Sequence, residues 1–169
     1  FTVLFAPGWL YDVHKKSGAD FAAQRRLLDE LGIANRLIPT AQSGSVEANA
    51  ATIAAAVRDS AARGETIVLV SASKAGPEVA YALSRLLAPH ETTNVAGWLN
   101  ASAALQGTPL ATWGLRAPMS WLVRTVFKVA GWSLDGVLAL RPAPSRARSM
   151  RPWAKMRPAS ARAAEVSTR

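Results

Sequence analysis

The sequence contains no cysteine, so disulfide scaffolds, cysteine-rich zinc sites and thiol nucleophiles are excluded. Histidine is scarce as well. His14 and His90 alone leave little room for a histidine-built metal site, and neither a metal nor an organic cofactor is implied. The start has no basic leader followed by an apolar run, the pattern of a secretory signal, and the expected compartment is the cytoplasm. Long apolar runs are missing too. The richest late stretch, 118–140, is broken by Arg124, Lys128, Gly131, Asp135 and Gly136, and a membrane-spanning helix needs about 20 mostly apolar residues.

What is present is 169 residues, 50% of them hydrophobic and 18% charged. That is enough for one buried core and too little for two ordinary domains. The chain begins at Phe1 and enters a strand-like run at once, which raises the expectation of a fragment or a processed chain. The net charge of +9 is uneven: residues 141–169 carry +7 and residues 1–140 only +2. The basic groups of 141–169 lie among Pro, Ser and Ala with one aromatic, Trp153, and form neither a stacking ladder nor a basic helical face. That segment reads as a solvated, poorly ordered tail, and no nucleic-acid partner is expected. A phosphate-binding arm, or contact with an anionic membrane or lipid surface, is the alternative.

The order of elements follows from periodicity. Residues 1–6 (Phe-Thr-Val-Leu-Phe-Ala) read as a buried strand ended by Pro7-Gly8. A helix is expected over about 20–31, with Phe21, Leu27, Leu28 and Leu31 at helical spacing and Gly32 as its stop. Arg36-Leu37-Ile38-Pro39 is a short second strand. Ser45 is an N-cap candidate for a helix with an apolar stripe of Val46, Ala50, Ile53, Ala54, Val57 and Ala61, closed by Gly64. Thr66-Ile67-Val68-Leu69-Val70 is continuously apolar, as in a parallel strand covered on both faces. The next helix carries Pro77 in its first turn and sets Val79, Ala80, Leu83, Leu86 and Leu87 on one side. Val95-Ala96-Gly97-Trp98-Leu99 is a fourth strand. Alternation of strands and helices means an α/β fold, a mostly parallel sheet of about four strands with helices on both faces.

The informative point is the bend between the third strand and its helix. Ser73 occupies it, at the carboxyl end of the sheet, where open α/β sheets place their ligands. Such a bend is tight and needs small neighbours, supplied by Ser71 and Ala75, with Gly76 next. The free N–H groups and positive end of the following helix point to the same place. That arrangement suits an oxyanion formed when a serine attacks a carbonyl. Ser73 as a mere helix N-cap is the bland alternative.

Here the sequence resembles the α/β-hydrolase family over residues 1 to about 112. Ser71-Ala72-Ser73-Lys74-Ala75 is similar to the family's Gly-x-Ser-x-Gly nucleophile elbow, with other small residues in place of both glycines. The resemblance implies a serine hydrolase of the lipase or esterase kind, acting on a small-molecule acyl ester, with Ser73 as nucleophile. It implies one oxyanion donor at the backbone N–H of Lys74, whose side chain is expected in solvent. It implies a second at the N–H of Trp9 or Leu10, with Gly8 allowing close approach. Leu99 through Leu110 resembles the strand end and loop that follow the nucleophile helix, and 113–140 a helical cap or lid over an acyl pocket. The Trp residues beyond 112 are expected in core or cap packing.

The rest of a triad is harder to build. The family order is serine, acid, histidine, and the only histidine after Ser73 is His90, which precedes Asp135. His90, at the far end of the nucleophile helix, would lie about 20 Å off at 1.5 Å per residue and is expected at the surface. His14, in the loop after the first strand, borders the site, although beside Lys15 and Lys16 it also reads as an exposed loop residue. Two explanations stand. Either this is a piece of a longer hydrolase lacking its acid and histidine, or it is a degenerate relative, a non-catalytic α/β-hydrolase-like binding module.

Overall fold

The computed structural model describes residues 1–13, 17–102, 105, 107–108, 111, 113, 115–116 and 119–141. His14 and the basic tail beyond Arg141 lie outside the described residues.

Four parallel strands form one sheet in the order β2-β1-β3-β4. They are β1 (Thr2–Ala6), β2 (Asn35–Leu37), β3 (Ile67–Ala72) and β4 (Val95–Ala101). Parallel neighbours need crossovers. These are supplied by α1 (Ala22–Glu30), α2 (Val46–Ala62) and α3 (Ala75–Tyr81), the last running into a π-helical turn (Ala82–Leu86) and a 3₁₀ turn (Pro89–Thr92). Two further helices follow, α4 (Met119–Val129) and α5 (Asp135–Ala139). Among the described residues no helix is long and apolar enough to cross a membrane.

Alternation along each strand splits the core in two. Leu4, Ala6, Ile67 and Leu69 pack under α2 and α3, against Ile53, Ala54, Val57, Ala75 and Val79. Val3 and Phe5 face the other way, onto Phe21, with Leu28 and Leu37 beside them. Each fully buried aliphatic side chain contributes about 1.5–3 kcal/mol of transfer free energy. All four expected strands form, with β2 at 35–37 in place of 36–39 and β4 two residues longer than its apolar run, and the helices cover both faces.

Local chemistry explains most boundaries. The Ser45 hydroxyl accepts the Ala48 N–H at 3.1 Å and starts α2. Gly64, at φ 68°, ends the turn after it. The stripe of α2 is broader than its alkyl spacing shows, since Asn49 and Ser60 are buried and Ala61 is exposed. Helix α1 differs more. Leu27 and Leu31 are exposed, and the inward positions are Phe21 and Leu28. Phe21 precedes the helix in a left-handed conformation (φ 56°), which drops its ring onto Phe5 with centroids 4.9 Å apart. Strand β3 runs two residues beyond its apolar stretch because Ser71 and Ala72 pair with Asn100 and Ala101 of β4.

The tryptophans after β4, expected in core or cap packing, divide. Phe127 of α4 stacks on Trp9 (centroids 5.7 Å, 28°) and meets the edge of Trp132. Trp113 and Trp121, however, are exposed.

Candidate active site

The register aligns Ala6 of β1, Ser71 of β3 and Asn100 of β4 across the sheet. The segments that leave these three strands therefore emerge side by side at one carboxyl edge. Each contains a non-glycine residue in the left-handed region: Leu10 (φ 55°), Ser73 (φ 52°) and Ser102 (φ 52°). Such backbone costs of order 1–3 kcal/mol per residue and persists only where its surroundings impose it.

At Ser73 the imposing contacts are identifiable. Its N–H donates to Ala101 O at 3.1 Å, and its own carbonyl accepts the Gly76 N–H at 3.2 Å in the first turn of α3. Ser71 and Ala75, two residues to either side, have no exposed surface, and Gly76 is buried too. The Ser71 hydroxyl donates to Asn100 Oδ1 (3.1 Å) and accepts from Trp98 Nε1 (2.8 Å), which fixes the strand end. Between these buried flanks Ser73 itself is exposed. Among the described residues no side chain hydrogen-bonds its hydroxyl.

The loop after β1 comes close to this bend. Gly8 donates to Ala19 O at 2.8 Å. A Cβ on Gly8 would stand 3.3 Å from Ala19 Cβ and 3.7 Å from the Ala72 carbonyl oxygen, so the absence of a side chain permits the approach. Trp9 and Leu10 follow, half-buried, and the Trp9 indole Nε1 is buried with no hydrogen-bond partner among the described residues. Farther along, the Tyr11 hydroxyl donates to Thr40 O at 3.2 Å. Burial, and then the neighbouring Asp12 charge, push its phenol pKa up.

Lys74 departs from expectation. Its side chain is not in solvent. It turns under the bend into the core and forms an ion pair with Glu78 one helical turn on, with side chains 3% and 1% exposed. Glu78 Oε1 also accepts from Asn49 Nδ2 at 2.8 Å. Burial pushes the Glu78 carboxyl pKa up, opposed by the charge and hydrogen bond of Lys74 and by the Asn49 amide. The i,i+4 spacing of Lys74 and Glu78 was the available signal for this pair. The backbone N–H of Lys74 remains at the corner, and no described carbonyl accepts it.

His90 is exposed in the 3₁₀ turn that leads into β4, at the amino edge of the sheet and so opposite Ser73. The fold does not bring it to the bend. Among the described residues no three His, Cys, Asp or Glu side chains gather as a metal site would require.

No family model matches the sequence, and no curated protein matches it. Solved structures do. The Bacillus licheniformis lipase BlEst2 in propeptide form superposes at a TM-score of 0.65 with 20% identity, over 83% of this chain and 29% of that one. Its mature form gives 0.59 at 21% identity, over 83% and 54%. The described core has the α/β-hydrolase fold. A metagenomic carboxyl esterase adds a TM-score of 0.54 at 26% identity, over 67% of this chain and 33% of its own. The chain therefore spans between about a third and a half of the length of these lipases and esterases. Its four strands are an incomplete α/β-hydrolase sheet, and Ser73 is the residue at the β3–α3 bend.

Proposed function

We propose that the protein is a serine hydrolase acting on carboxylic esters, with Ser73 as its nucleophile. The observation that carries this reading is an exposed serine at φ 52°, held between buried small residues where β3 turns into α3. The kinship of fold with lipases and esterases supports the reaction class.

In this reading the Ser73 Oγ adds to the acyl carbon of a small-molecule ester while a base accepts its proton. The carbonyl oxygen becomes an oxyanion held by the N–H of Lys74 and that of Trp9 or Leu10. Collapse expels the alcohol, which takes up a proton, and leaves an acyl-Ser73 ester that water then cleaves. His14, four residues after Leu10 in sequence, is the candidate for the base, and it lies outside the described residues. The segment 113–140 acts as a cap, with α4 placing Phe127 against Trp9 beside the oxyanion loop.

The test is labelling of the full-length protein with a fluorophosphonate probe followed by peptide mapping. The expected result is one adduct, on Ser73, abolished in Ser73→Ala. Absence of an adduct on Ser73 would make the fold a non-catalytic binding module.

A further inference from the structure

The Lys74–Glu78 pair stands at an unusual place. Burying two charges is often no better for stability than a well-packed apolar pair of the same volume. The contacts that continue from it give it another use. Asn49 Nδ2, bonded to Glu78, also donates to Ala41 O at 2.8 Å, and Asn49 Oδ1 accepts the Ala41 N–H at 2.9 Å. The Ala41–Gly44 turn is pressed against this amide so closely that a Cβ on Gly44 would fall 2.9 Å from Asn49 Oδ1. One peptide bond back, Thr40 O accepts the Tyr11 hydroxyl at 3.2 Å. Tyr11 directly follows Trp9 and Leu10.

The chain of contacts thus begins on the residue that carries one amide of the bend and ends beside the residues that carry the other. We propose that Lys74, Glu78 and Asn49 are positioning residues. They hold the Lys74 N–H and the Trp9–Leu10 segment at a fixed separation, with the Tyr11–Thr40 hydrogen bond as the far anchor. The proposal rests on the reading of Ser73 as nucleophile. Separation matters because donors act on the oxyanion only within a narrow range of distance, and a misplacement of about 1 Å costs about a hundredfold in rate.

The decisive variant is Lys74→Met with Glu78→Leu, which removes both charges and keeps the space filled. With the full-length protein and p-nitrophenyl butyrate, kcat is expected to fall by about ten- to a hundredfold while KM stays within about twofold. Fluorophosphonate labelling of Ser73 should slow in parallel, and the urea midpoint should stay near that of the parent. A folded double variant with the parent's kcat overturns the proposal. Should that variant fail to fold, Tyr11→Phe decides: a lowered kcat at unchanged KM supports the network, and an unchanged kcat overturns it. Ser73→Ala separates the two readings. If it hydrolyses the ester at the parent's rate, the nucleophile assignment falls and takes the network with it. If it is inactive while the double variant keeps full kcat, the network alone falls.

Discussion

The two faces of β3 are built to different standards. Toward α2 and α3, Ile67, Leu69 and Ser71 have no exposed surface, and Ala75, Val79 and Glu78 are equally enclosed beneath the bend. Toward α1, Val68, Val70 and Ala72 are only half-buried, and on β4 Leu99 is 64% exposed. Ser73 lies on the seam. Its flanks, Ser71 and Ala75, belong to the closed side, and the residue itself is exposed. A left-handed serine needs such a floor. Strain at φ 52° relaxes unless rigid packing holds it, yet a nucleophile must be reachable.

Substitutions on the two sides would sharpen or break this contrast. Lys74→Met alone leaves Glu78 buried beside an apolar chain and should cost about 3–5 kcal/mol of unfolding free energy, measured by urea titration. The double change to Met and Leu should recover most of that. Ile53→Ala, on the closed face, should cost about 2–5 kcal/mol through the cavity it leaves. Ser73→Gly removes the strain of the left-handed serine and should raise stability by about 1 kcal/mol while abolishing labelling, whereas Ser73→Ala gives no such gain. Leu99→Ser, on the open side, should stay within about 0.5 kcal/mol of the parent. A loss at Leu99 comparable to that at Ile53 would mean that the two faces do not differ.

Acid separates the same interior from the surface. The Arg58 guanidinium and the Ala88 amide hold the Glu91 carboxyl at about 2, and Arg36 and then Arg63 hold Glu65 at about 2. Both lie below the ordinary value of 4.5. The stability these clamps supply is therefore present above about pH 4.5 and is lost as pH falls toward about 2. Glu78 has the opposite sign. Its raised folded value favours the protonated folded state at low pH, and that contribution disappears as pH rises through it. The difference in urea midpoint between the parent and Glu91→Gln should be measurable at pH 7 and vanish near pH 2. A difference independent of pH would show that the Arg58–Glu91 contact contributes nothing as an ion pair.

Much of the fold and the serine bend was legible because local chemistry specifies it. Ser45 caps α2 through its own hydroxyl, the apolar run from Ile67 to Val70 marks a strand although only one of its faces is fully covered, and Ser73 sits between residues too small to block a bend. What was not legible depends on distant partners. Lys74 is buried because α2 brings Asn49 against Glu78, 29 residues away in sequence, and a lysine near a loop otherwise reads as solvated. Leu27 and Leu31 have the right period and the wrong phase. The left-handed turn at Phe21, set by its fit on Phe5, decides which side of α1 faces the sheet. The exposed Trp113 and Trp121 show the limit of composition: an aromatic residue signals the wish for a partner, not its presence.

The most direct test is to mix the full-length protein with p-nitrophenyl butyrate, quench in acid within the first turnover and map the acylated peptide by mass spectrometry. The account requires one butyryl group on the Ser73 hydroxyl, absent from Ser73→Ala. A butyryl group on another residue, or turnover with Ser73 unmodified and Ser73→Ala fully active, would contradict it.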